Sequence, residues 1–414
     1  MTKTSQNRLK TDVLIVGGGM AGCSLAVALA GVGFEVVVVD RIDTTAQSED
    51  KFDGRASAIA GAPQKMLDQI GMWQHLGQNF APILDIRVAD GASRLFLHYY
   101  HEDIGGEALG YMVENRHFRK AIFARLNELD NITYCAPAEI VNLARTADSV
   151  QADLKDGRQI TAALIVGADG RGSQIRKDAG IELTEWSYHQ TGIVLTVDHE
   201  IPHHNVAHEH FLPAGPFAIL PLPGEHGENN RSSIVWTEKD ELVESIMALP
   251  DVEFAAEFNH RFGDFLGKAN FIGPHWTYPL TLQYAETSVA ERLVLIGDAS
   301  HGMHPIAGQG LNMGLRDVAA LAEVLIDARR LGLDIGAASL LDDYEQWRRF
   351  DNTLMLAMTD GLNRLFSNDI GPIKLARDIG LAAVNKAGPL KKVFMQHAMG
   401  ATGNLPRLLK GEVL

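Results

Sequence analysis

The chain has 414 residues, a formal net charge of −15 at pH 7 and a hydrophobic content of 46%. This length exceeds one ordinary domain and can bury a large core, and the hydrophobic fraction is normal for a globular protein. The negative charge argues against nucleic-acid binding, because no broad basic field is available to attract phosphates.

Near the N-terminus, the pattern predicts a strand, a turn, a helix and a second strand. The apolar run 13–16 leads into G-x-G-x-x-G at 17–22, and the second strand ends at Asp40. Such a unit places a pyrophosphate on a helix N-terminus and a ribose hydroxyl on an acid about 20 residues further on. Because the acid argues against a 2′-phosphate, we predict a dinucleotide site for FAD or NAD. The predicted contacts are Gly17, Gly19, Met20, Ala21, Gly22, Asp40 and Arg41.

The same region imitates two targeting signals. Residues 13–34 carry no charge, which resembles a membrane span, and Lys10 followed by the small residues at 28–30 resembles a secretory signal. However, the glycines of this stretch would weaken a spanning helix, whereas the dinucleotide turn explains most of them. We therefore predict neither signal and expect a cytoplasmic protein.

Cys23 and Cys135 are the two cysteines of the chain. They do not form a C-x-x-C pair, and the pattern places them in an apolar helix and a strand. This argues against a disulfide framework and a dithiol reductase, and it agrees with a reducing cytoplasm. We predict that both cysteines only pack.

A second glycine-rich turn follows the buried strand predicted at 164–166. Asp169 and Gly170 form the turn, and Ser173 and Arg176 fall at the start of a helix. One interpretation is a capped turn, with Ser173 as the N-cap and Arg176 in a surface ion pair. The other is a second ligand-binding loop.

Two segments, 83–100 and 186–278, show the alternation of strands and predict a mainly antiparallel sheet. A histidine cluster lies in the second segment, at His199, His203, His204, His208 and His210. No acid lies at metalloprotease spacing and H-E-x-x-H is absent, while two prolines argue against one long helix. We therefore favour a polar strand face over a metal site.

The most specific motif spans residues 297–312. The apolar run 293–296, typical of a strand buried on both faces, ends at Gly297 and Asp298. Asp298 can accept hydrogen bonds from a polyol, and the following glycines let the backbone approach a flat ligand. From Asn312 to residue 325, apolar residues recur at helical spacing, and the N–H groups of such a helix start attract negative charge.

Two histidines, His301 and His304, lie inside this loop. Either they contact the ligand or their polar atoms are satisfied by backbone hydrogen bonds. We assign neither as a catalytic acid or base.

The chain is predicted to be mainly helical from about residue 340 onward, and its last part is basic. Seven basic residues oppose Asp378 and Glu412: Lys374, Arg377, Lys386, Lys391, Lys392, Arg407 and Lys410. Leu390, Val393 and Phe394 recur at helical spacing beside the lysines. Such a helix either lies on an anionic membrane or a partner, or is an ordinary helix with a solvated face.

Together, G-x-G-x-x-G, D-G and G-D in this order resemble the single-component FAD-dependent aromatic hydroxylases. Residues 305–317, together with 52–55 and 114–116, resemble the UbiH/UbiF/VisC branch of ubiquinone-biosynthesis hydroxylases, and the similarity covers nearly the whole chain. The resemblance implies an α/β fold with a Rossmann-like FAD-binding domain, an inserted, mainly antiparallel β-sheet substrate domain and a C-terminal helical segment. The expected boundaries are 1–75, 105–183 and 276–340 for the FAD-binding domain, 76–104 and 184–275 for the substrate domain, and 341–414 for the helical region.

The resemblance also implies roles for individual residues. Asp40 would hold the adenosine ribose, Arg55 the FAD phosphates or ribose, and Asp298 the ribityl chain. The backbone at Gly308 and Gly310 would face the isoalloxazine ring, and either Asn115 or Arg116 would lie near the flavin. Asp169 and Arg176 would support FAD and the approach of the nicotinamide cofactor.

The chemistry implied by the resemblance is hydroxylation of a polyprenylated phenol in ubiquinone biosynthesis. NADPH or NADH would reduce FAD, and dioxygen would react through a flavin hydroperoxide. Because no second G-x-G-x-x-G occurs, the nicotinamide cofactor would bind without its own Rossmann domain. Another aromatic substrate, a prenyl-chain reductase or oxidase, and a non-enzymatic subunit of a quinone-biosynthesis complex remain alternatives.

Overall fold

The computed structural model describes residues 7–43, 52–91, 96–224, 228–303, 308–367 and 399–414. Between the last two ranges it describes 377, 380, 384–385, 387–388, 391–392 and 395–396. Within these ranges the strands form three sheets. No described helix is long and apolar enough to span a membrane.

The first sheet is built around parallel strands. Its members are β1 (Arg8–Val16), β2 (Val36–Val39), β8 (Ile132–Cys135), β9 (Ile140–Arg145), β10 (Val150–Leu154), β11 (Gln159–Gly167), β17 (Val289–Ala290) and β18 (Leu293–Leu295). The order is β17–β18–β11–β1–β2–β8, and β10 and β9 extend from β11 as antiparallel strands. β1 pairs in parallel with both β2 and β11.

The apolar runs of these strands are continuous because both faces of the sheet are covered. Val36 and Val38 belong to one core cluster with the helix α1 (Met20–Ala30), whereas Val37 and Val39 belong to a second cluster with β9 and β10. All four valines are at most 3% exposed. The first sheet therefore has the buried, doubly covered pattern of an α/β protein, as predicted.

The second sheet is mainly antiparallel. It contains β5 (Asp85–Asp90), β6 (Phe96–Tyr100), β12 (Leu183–His199), β13 (Val206–Leu212), β14 (Gly215–Leu222), β15 (Arg231–Lys239), β16 (Ala269–Ala285) and β19 (His301–Gly302). The strand order is β19–β16–β12–β15–β14–β13–β5–β6, in which β13 and β5 run parallel. Because β19 belongs to the 297–312 motif, the second sheet is hydrogen-bonded directly to that loop.

A small third sheet and the remaining helices complete the fold. The third sheet contains β3 (Ala56–Ala60), β4 (Ala81–Ile83) and β7 (Gly110–Glu114). The further helices are α2 (Gly61–Gln69), α3 (Asn115–Leu126), α4 (Gln174–Asp178), α5 (Asp240–Met247), α6 (Asp251–Phe262), α7 (Gln309–Arg330) and α8 (Ala338–Phe366), followed by the short helix Arg407–Lys410.

The structure corrects one secondary-structure expectation. The region read as strand from 186 to 278 contains α5 and α6. Phe254, Phe258 and Phe262 recur every four residues, and all three pack into a core on the face of the second sheet that carries Phe217 and Trp236. Their helical period was hidden inside a long segment whose other parts alternate as strands.

The domain boundaries remain a prediction. The expected limit between 275 and 276 falls within β16, which runs without a break from Ala269 to Ala285. This strand pairs with β12 along most of its length, so the second sheet continues beyond that limit toward the 297–312 loop.

Candidate active site

The turn after β1 requires glycine at two positions because the backbone is crowded there. Gly17 has φ +109°, and a Cβ on it would lie 2.2 Å from the carbonyl oxygen of Ala168. A Cβ on Gly22 would lie 2.0 Å from the carbonyl oxygen of Gly17. These glycines let α1 and the loop after β11 approach the turn closely.

Gly19 differs, because a Cβ on it would meet no atom within 4 Å. It is the N-cap of α1, where no side chain caps the helix and no acid lies in the first turn. Gly19, Met20 and Ala21 line the large cavity of the protein. The helix start is therefore an open cradle with free backbone donors, which fits a pyrophosphate such as that of FAD.

Asp40 follows β2 and is oriented by the backbone. Its Oδ2 accepts a hydrogen bond from Gly18 N at 2.5 Å, and its Oδ1 accepts one from Ile42 N at 2.6 Å. Arg41 beside it is exposed. The predicted acid thus lies beside the glycine turn, where a ribose would be held.

The residues predicted from 52–55 and 114–116 occupy three different environments. The Arg55 side chain is 59% exposed and forms an ion pair with Asp53 at 2.9 Å. Asn115 Oδ1 accepts a hydrogen bond from Ser57 Oγ at 2.7 Å, and Ser57 lines the cavity. Arg116 instead pairs with Glu114 at 3.0 Å. Asn115, one of the two alternatives predicted near the flavin, is thus hydrogen-bonded to a residue of the cavity wall.

In the D-G turn, Asp169 and Arg176 brace the loop. The Asp169 carboxylate accepts hydrogen bonds from Ser173 Oγ at 2.5 Å and from Gln174 N at 2.8 Å. Arg176 is 3% exposed and donates to the carbonyl oxygen of Ala299 at 2.7 Å. Ser173 is the N-cap as expected, but the surface ion pair of Arg176 is wrong because its guanidinium is buried against carbonyl groups. The roles of both residues toward the cofactors remain predictions.

Arg171 was missed in the sequence, although it directly follows the D-G pair. It lines the cavity and lies 3.4 Å from Asp298, and it donates a hydrogen bond to Thr281 at 2.9 Å. Arg171 therefore joins the D-G turn, the G-D turn and β16 at the cavity.

The G-D loop begins beside α1, where a Cβ on Gly297 would lie 3.5 Å from the Cβ of Ala21. Asp298 lines the cavity with its side chain 47% exposed. The loop leads to α7, whose N-cap Gly308 has φ +63°. The helix starts at Gln309, three residues before the predicted start, and Gly308 and Gly310 line the cavity. Residues 304–307, including His304, lie outside the described residues.

Asn312 holds the start of α7 against β3. Its Nδ2 donates to the carbonyl oxygen of Ala58 at 2.9 Å, and its Oδ1 accepts from Ala60 N at 2.9 Å. This pairing places the N-terminal turn of α7 beside the third sheet at the cavity wall.

His301 is part of a buried charged network behind the loop. Its Nε2 lies 2.6 Å from Asp317 Oδ2, and both side chains are 1% exposed. Asp317 also accepts hydrogen bonds from Gly297 N at 2.9 Å and Arg348 Nε at 2.8 Å. Burial opposes ionisation of Asp317, but His301 and Arg348 outweigh it and lower its pKa to about 2. His301 is therefore satisfied by an aspartate, where the sequence suggested backbone partners.

A cavity of about 750 Å³ connects these loops with the second sheet. Most of its wall is apolar, including Ile86 and Val88 on β5, Leu97 on β6 and Phe211 on β13. Met355 and Phe366 of α8, and Met395 and Met399 further on, also line it. A flat cofactor at the loops and an apolar substrate beneath the sheet would thus share one enclosed space.

Three of the five histidines of the cluster are more buried than a polar strand face would be, whereas His204 is exposed. His199, His203 and His208 are at most 7% exposed. His199 lies 2.9 Å from Ser232 Oγ, and His203 lies 3.0 Å from the carbonyl oxygen of Leu222. Burial lowers the pKa of His208 to about 3. Among the described residues, no group of three or more side chains is arranged to hold a metal ion.

Both cysteines are buried, as predicted for packing residues. Cys23 Sγ donates to the carbonyl oxygen of Gly18 at 3.2 Å, and burial raises its thiol pKa to about 12. Burial also raises the pKa of Cys135. Such thiols are poor nucleophiles.

Comparison with known proteins identifies the family. Residues 10–357 match the family model described as FAD binding domain. The chain is 56% identical over 403 residues to ubiquinone hydroxylase UbiL of Rhodospirillum rubrum, covering 97% of this chain and 92% of the relative. The chain belongs to this FAD-binding family, among the ubiquinone-biosynthesis hydroxylases. The predicted family and FAD cofactor are confirmed.

Other similarities agree with this membership. The 3-demethoxyubiquinol 3-hydroxylase of Escherichia coli is 33% identical over 392 residues, covering 94% of this chain and 98% of the relative. The p-nitrophenol 4-monooxygenase PnpA of Pseudomonas putida matches with a TM-score of 0.78 at 18% identity, over 96% of this chain and 100% of that one. At this identity the structural match concerns the fold, and it confirms the predicted fold class. The chain is an FAD-dependent monooxygenase, as expected.

Proposed function

We propose that the protein hydroxylates the aromatic ring of a polyprenylated phenol in ubiquinone biosynthesis, with NADPH or NADH as reductant and O2 as oxidant. The observation that carries this proposal is the apolar cavity that joins the FAD-binding loops to the second sheet. The names of the relatives, ubiquinone hydroxylase and 3-demethoxyubiquinol 3-hydroxylase, support the same substrate class.

The residues of the cofactor site have complementary tasks in this proposal. The open start of α1 at Gly19 binds the pyrophosphate, and Asp40 binds the adenosine ribose. Asp298 binds the ribityl chain, and the backbone at Gly308 and Gly310 lies against the flavin ring. When bound, FAD supplies the redox and oxygen chemistry.

The protein itself must bind the phenol and exclude water. Ile86, Val88 and Leu97 provide an apolar wall suited to a prenyl chain, because burying such a chain gains roughly 25 cal/mol per Å². A dry site also favours oxygen transfer to the ring over loss of oxygen as peroxide.

The proposal is tested with purified holoenzyme, NADPH, ¹⁸O2 and a short-chain prenylated phenol. Mass spectrometry should find one labelled oxygen atom on the aromatic ring. Gain or loss of hydrogen without labelled oxygen would replace the proposal with a prenyl-chain reductase or oxidase. In the source organism, gene disruption should accumulate a quinone precursor that lacks one ring oxygen.

We also propose a peripheral contact with an anionic membrane through the basic C-terminal part, but not through all its charges. Lys391 forms an ion pair with Asp103 at 2.6 Å, Arg377 with Asp90 at 2.8 Å and Arg407 with Asp327 at 2.6 Å. Lys392 and Lys410 are exposed. Lys374, Lys386, Leu390, Val393 and Phe394 lie outside the residues described.

Liposome flotation of the double variant Lys392→Glu/Lys410→Glu tests this contact. Binding to anionic vesicles should fall, because each basic residue near such a surface contributes about 1 kcal/mol. Lys155→Glu, which reverses one exposed charge between β10 and β11, should bind as wild type does. Equal flotation of the wild type, the double variant and Lys155→Glu would refute the membrane proposal. The basic part would then be expected to bind a partner protein in a quinone-biosynthesis complex.

A further inference from the structure

One ionisable side chain on the cavity wall has no role in the arrangement described above. Glu209 lies on β13, where Ala207, Glu209 and Phe211 alternate and all line the cavity. In register, Glu209 faces Ala218 on β14 and Val88 on β5, which line the cavity as well. Its carboxyl group therefore stands on an apolar wall.

Glu209 has no hydrogen-bond or ion-pair partner within the part of the chain that the structure describes. An ionised carboxylate without a partner is unfavourable in apolar surroundings, so the protonated, neutral form is favoured. Burial accordingly raises the pKa of Glu209 to about 7. An acid in a cleft whose pKa is strongly shifted is a candidate for function, because a buried carboxyl group without a partner does not stabilise the fold.

We propose that Glu209 is a catalytic residue that binds the ring hydroxyl of the substrate and accepts its proton as oxygen is transferred to the ring. This inference rests on the proposed hydroxylation of a phenol. The proton moves from the phenolic oxygen to a Glu209 carboxylate oxygen, and the electron pair of the broken O–H bond stays on the ring oxygen. The ring becomes more electron-rich and hence more reactive toward the oxidant. One oxygen atom of O2 forms the new C–O bond, the attacked ring carbon then loses its proton, the other oxygen atom leaves as water, and NAD(P)H supplies the two electrons.

The position of Glu209 also orients the substrate. The Glu209 carboxyl group lines the same cavity as the apolar side chains of Ile86, Val88 and Leu97, which favour a hydrocarbon chain. A phenol with a prenyl tail would place its hydroxyl on Glu209 and its tail along these side chains. One polar anchor in an apolar pocket is the usual means of fixing ligand orientation.

Among the described residues, the other ionisable side chains that line the cavity are His208 on β13, Tyr99 on β6, Tyr278 on β16, Arg171 and Asp298. His210 on β13, Arg87 on β5 and His98 on β6 lie on the same neighbouring strands. Burial lowers the pKa of His208 to about 3 and lowers that of His98 and His210. Burial raises the pKa of Tyr99 and Tyr278 to about 12. By contrast, burial moves the pKa of Glu209 to about 7, close to neutrality.

The test is Glu209→Gln in the holoenzyme, which keeps the size and a hydrogen-bonding group but cannot accept the proton. In the wild type, hydroxylation should rise as pH increases through about 7, because the base is the ionised carboxylate. The variant should lose roughly 10²–10⁴-fold in kcat and lose this rise. Its FAD affinity and thermal stability should not fall. Glu185→Gln is the matched control, since that carboxylate lies exposed on β12.

The outcomes separate this inference from the proposed function. If the wild type oxygenates no prenylated phenol, both fail. If the wild type is active and Glu209→Gln keeps its kcat and pH profile, the role of Glu209 is refuted while the proposed function stands. Should Glu209→Gln not fold, Glu209→Asp decides: a pH profile identical to the wild type in position and height would overturn the proposal, and a displaced or lowered profile would support it.

Discussion

Three glycines of this protein lie in different surroundings. Gly22 contacts the turn backbone, Gly19 borders open space at the cofactor cradle, and Gly361 lies exposed within α8. The consequence of adding one methyl group therefore differs at each position. At Gly22 the obstacle is the protein itself, whereas at Gly19 it is the ligand.

Gly22→Ala should lose stability by about 1–3 kcal/mol or fail to fold, because its Cβ would overlap a carbonyl oxygen. Gly19→Ala should fold normally but bind FAD roughly tenfold more weakly, a loss of about 1.4 kcal/mol. Gly361→Ala, the control, should gain about 0.5–1 kcal/mol from helix propensity. Urea denaturation of the apoprotein and FAD fluorescence titration measure these effects. Equal FAD affinity in Gly19→Ala and wild type would contradict the assigned cradle.

Asp317 stabilises the fold through the groups that it contacts. It is fully buried and contacts His301, Arg348 and the backbone of Gly297. Removing its charge leaves Arg348 buried beside a neutral amide, although Asp351 still pairs with that arginine. Breaking one side of a buried ion pair is strongly destabilising.

Asp317→Asn should lose about 3–5 kcal/mol of unfolding free energy at pH 7. Because the folded-state pKa of Asp317 is lowered, its contribution is present above the unfolded pKa of about 4 and is lost as pH falls toward 2. The wild type should therefore approach the variant in stability in acid. Denaturation curves at several pH values measure this, with the exposed Asp342→Asn as control. A constant gap between the two proteins across this range would exclude the mechanism.

At the scale of elements, the site depends on where α7 begins. The glycine-rich stretch alone does not fix the helix start. Asn312 fixes it by hydrogen bonds to the backbone of β3 at Ala58 and Ala60. This side chain replaces the missing strand partner of an edge and fixes the first turn of the helix. The cofactor loop is held from both of its ends.

Asn312→Ala should cost about 1–3 kcal/mol, because the buried N–H of Ala60 loses its acceptor. FAD should dissociate faster, since the start of α7 is no longer fixed to β3. Stopped-flow release of FAD and chemical denaturation report the two effects. Asn142→Ala on the exposed strand β9 removes a surface amide and should change neither. An unchanged FAD release rate in Asn312→Ala would show that the anchor serves stability alone.

At the scale of the whole molecule, residues far apart in sequence close the cavity. Arg377 and Asp90 form a buried ion pair, and Arg377 also donates to the carbonyl oxygen of Leu365 at 2.8 Å. Met395 and Met399 then contribute to the cavity wall. The described residues Met395 and Met399 thus bring the C-terminal part to the cavity wall, and we expect this wall to help exclude water from the site.

Asp90→Ala should leave Arg377 buried without its carboxylate, at a cost of about 3–5 kcal/mol. With the closure loosened, more water enters, and the holoenzyme should release more hydrogen peroxide per NADPH oxidised. A coupled peroxide assay measures this ratio. Asp90→Ala/Arg377→Met should recover part of the stability, whereas the exposed Asp343→Ala should match wild type. If Asp90→Ala releases no more hydrogen peroxide per NADPH than the wild type, the ion pair does not help to exclude water from the cavity.

The sequence alone determined the local units of this protein. The G-x-G-x-x-G turn, the helix that follows it and the strand before Asp298 were predictable, because each depends on neighbours within a few residues. Glycine requirements, caps and apolar periods are local properties of the chain. The family motifs are made of the same local patterns.

Only the tertiary structure decided which residues meet. It showed Asp169 and Arg176 bracing their loop, and it paired His301 with Asp317 and Arg171 with Asp298. It also placed Glu209 on an apolar wall, although its neighbours in sequence are histidines. Burial and partner choice depend on long-range packing, and that packing sets the charge and reactivity of a side chain.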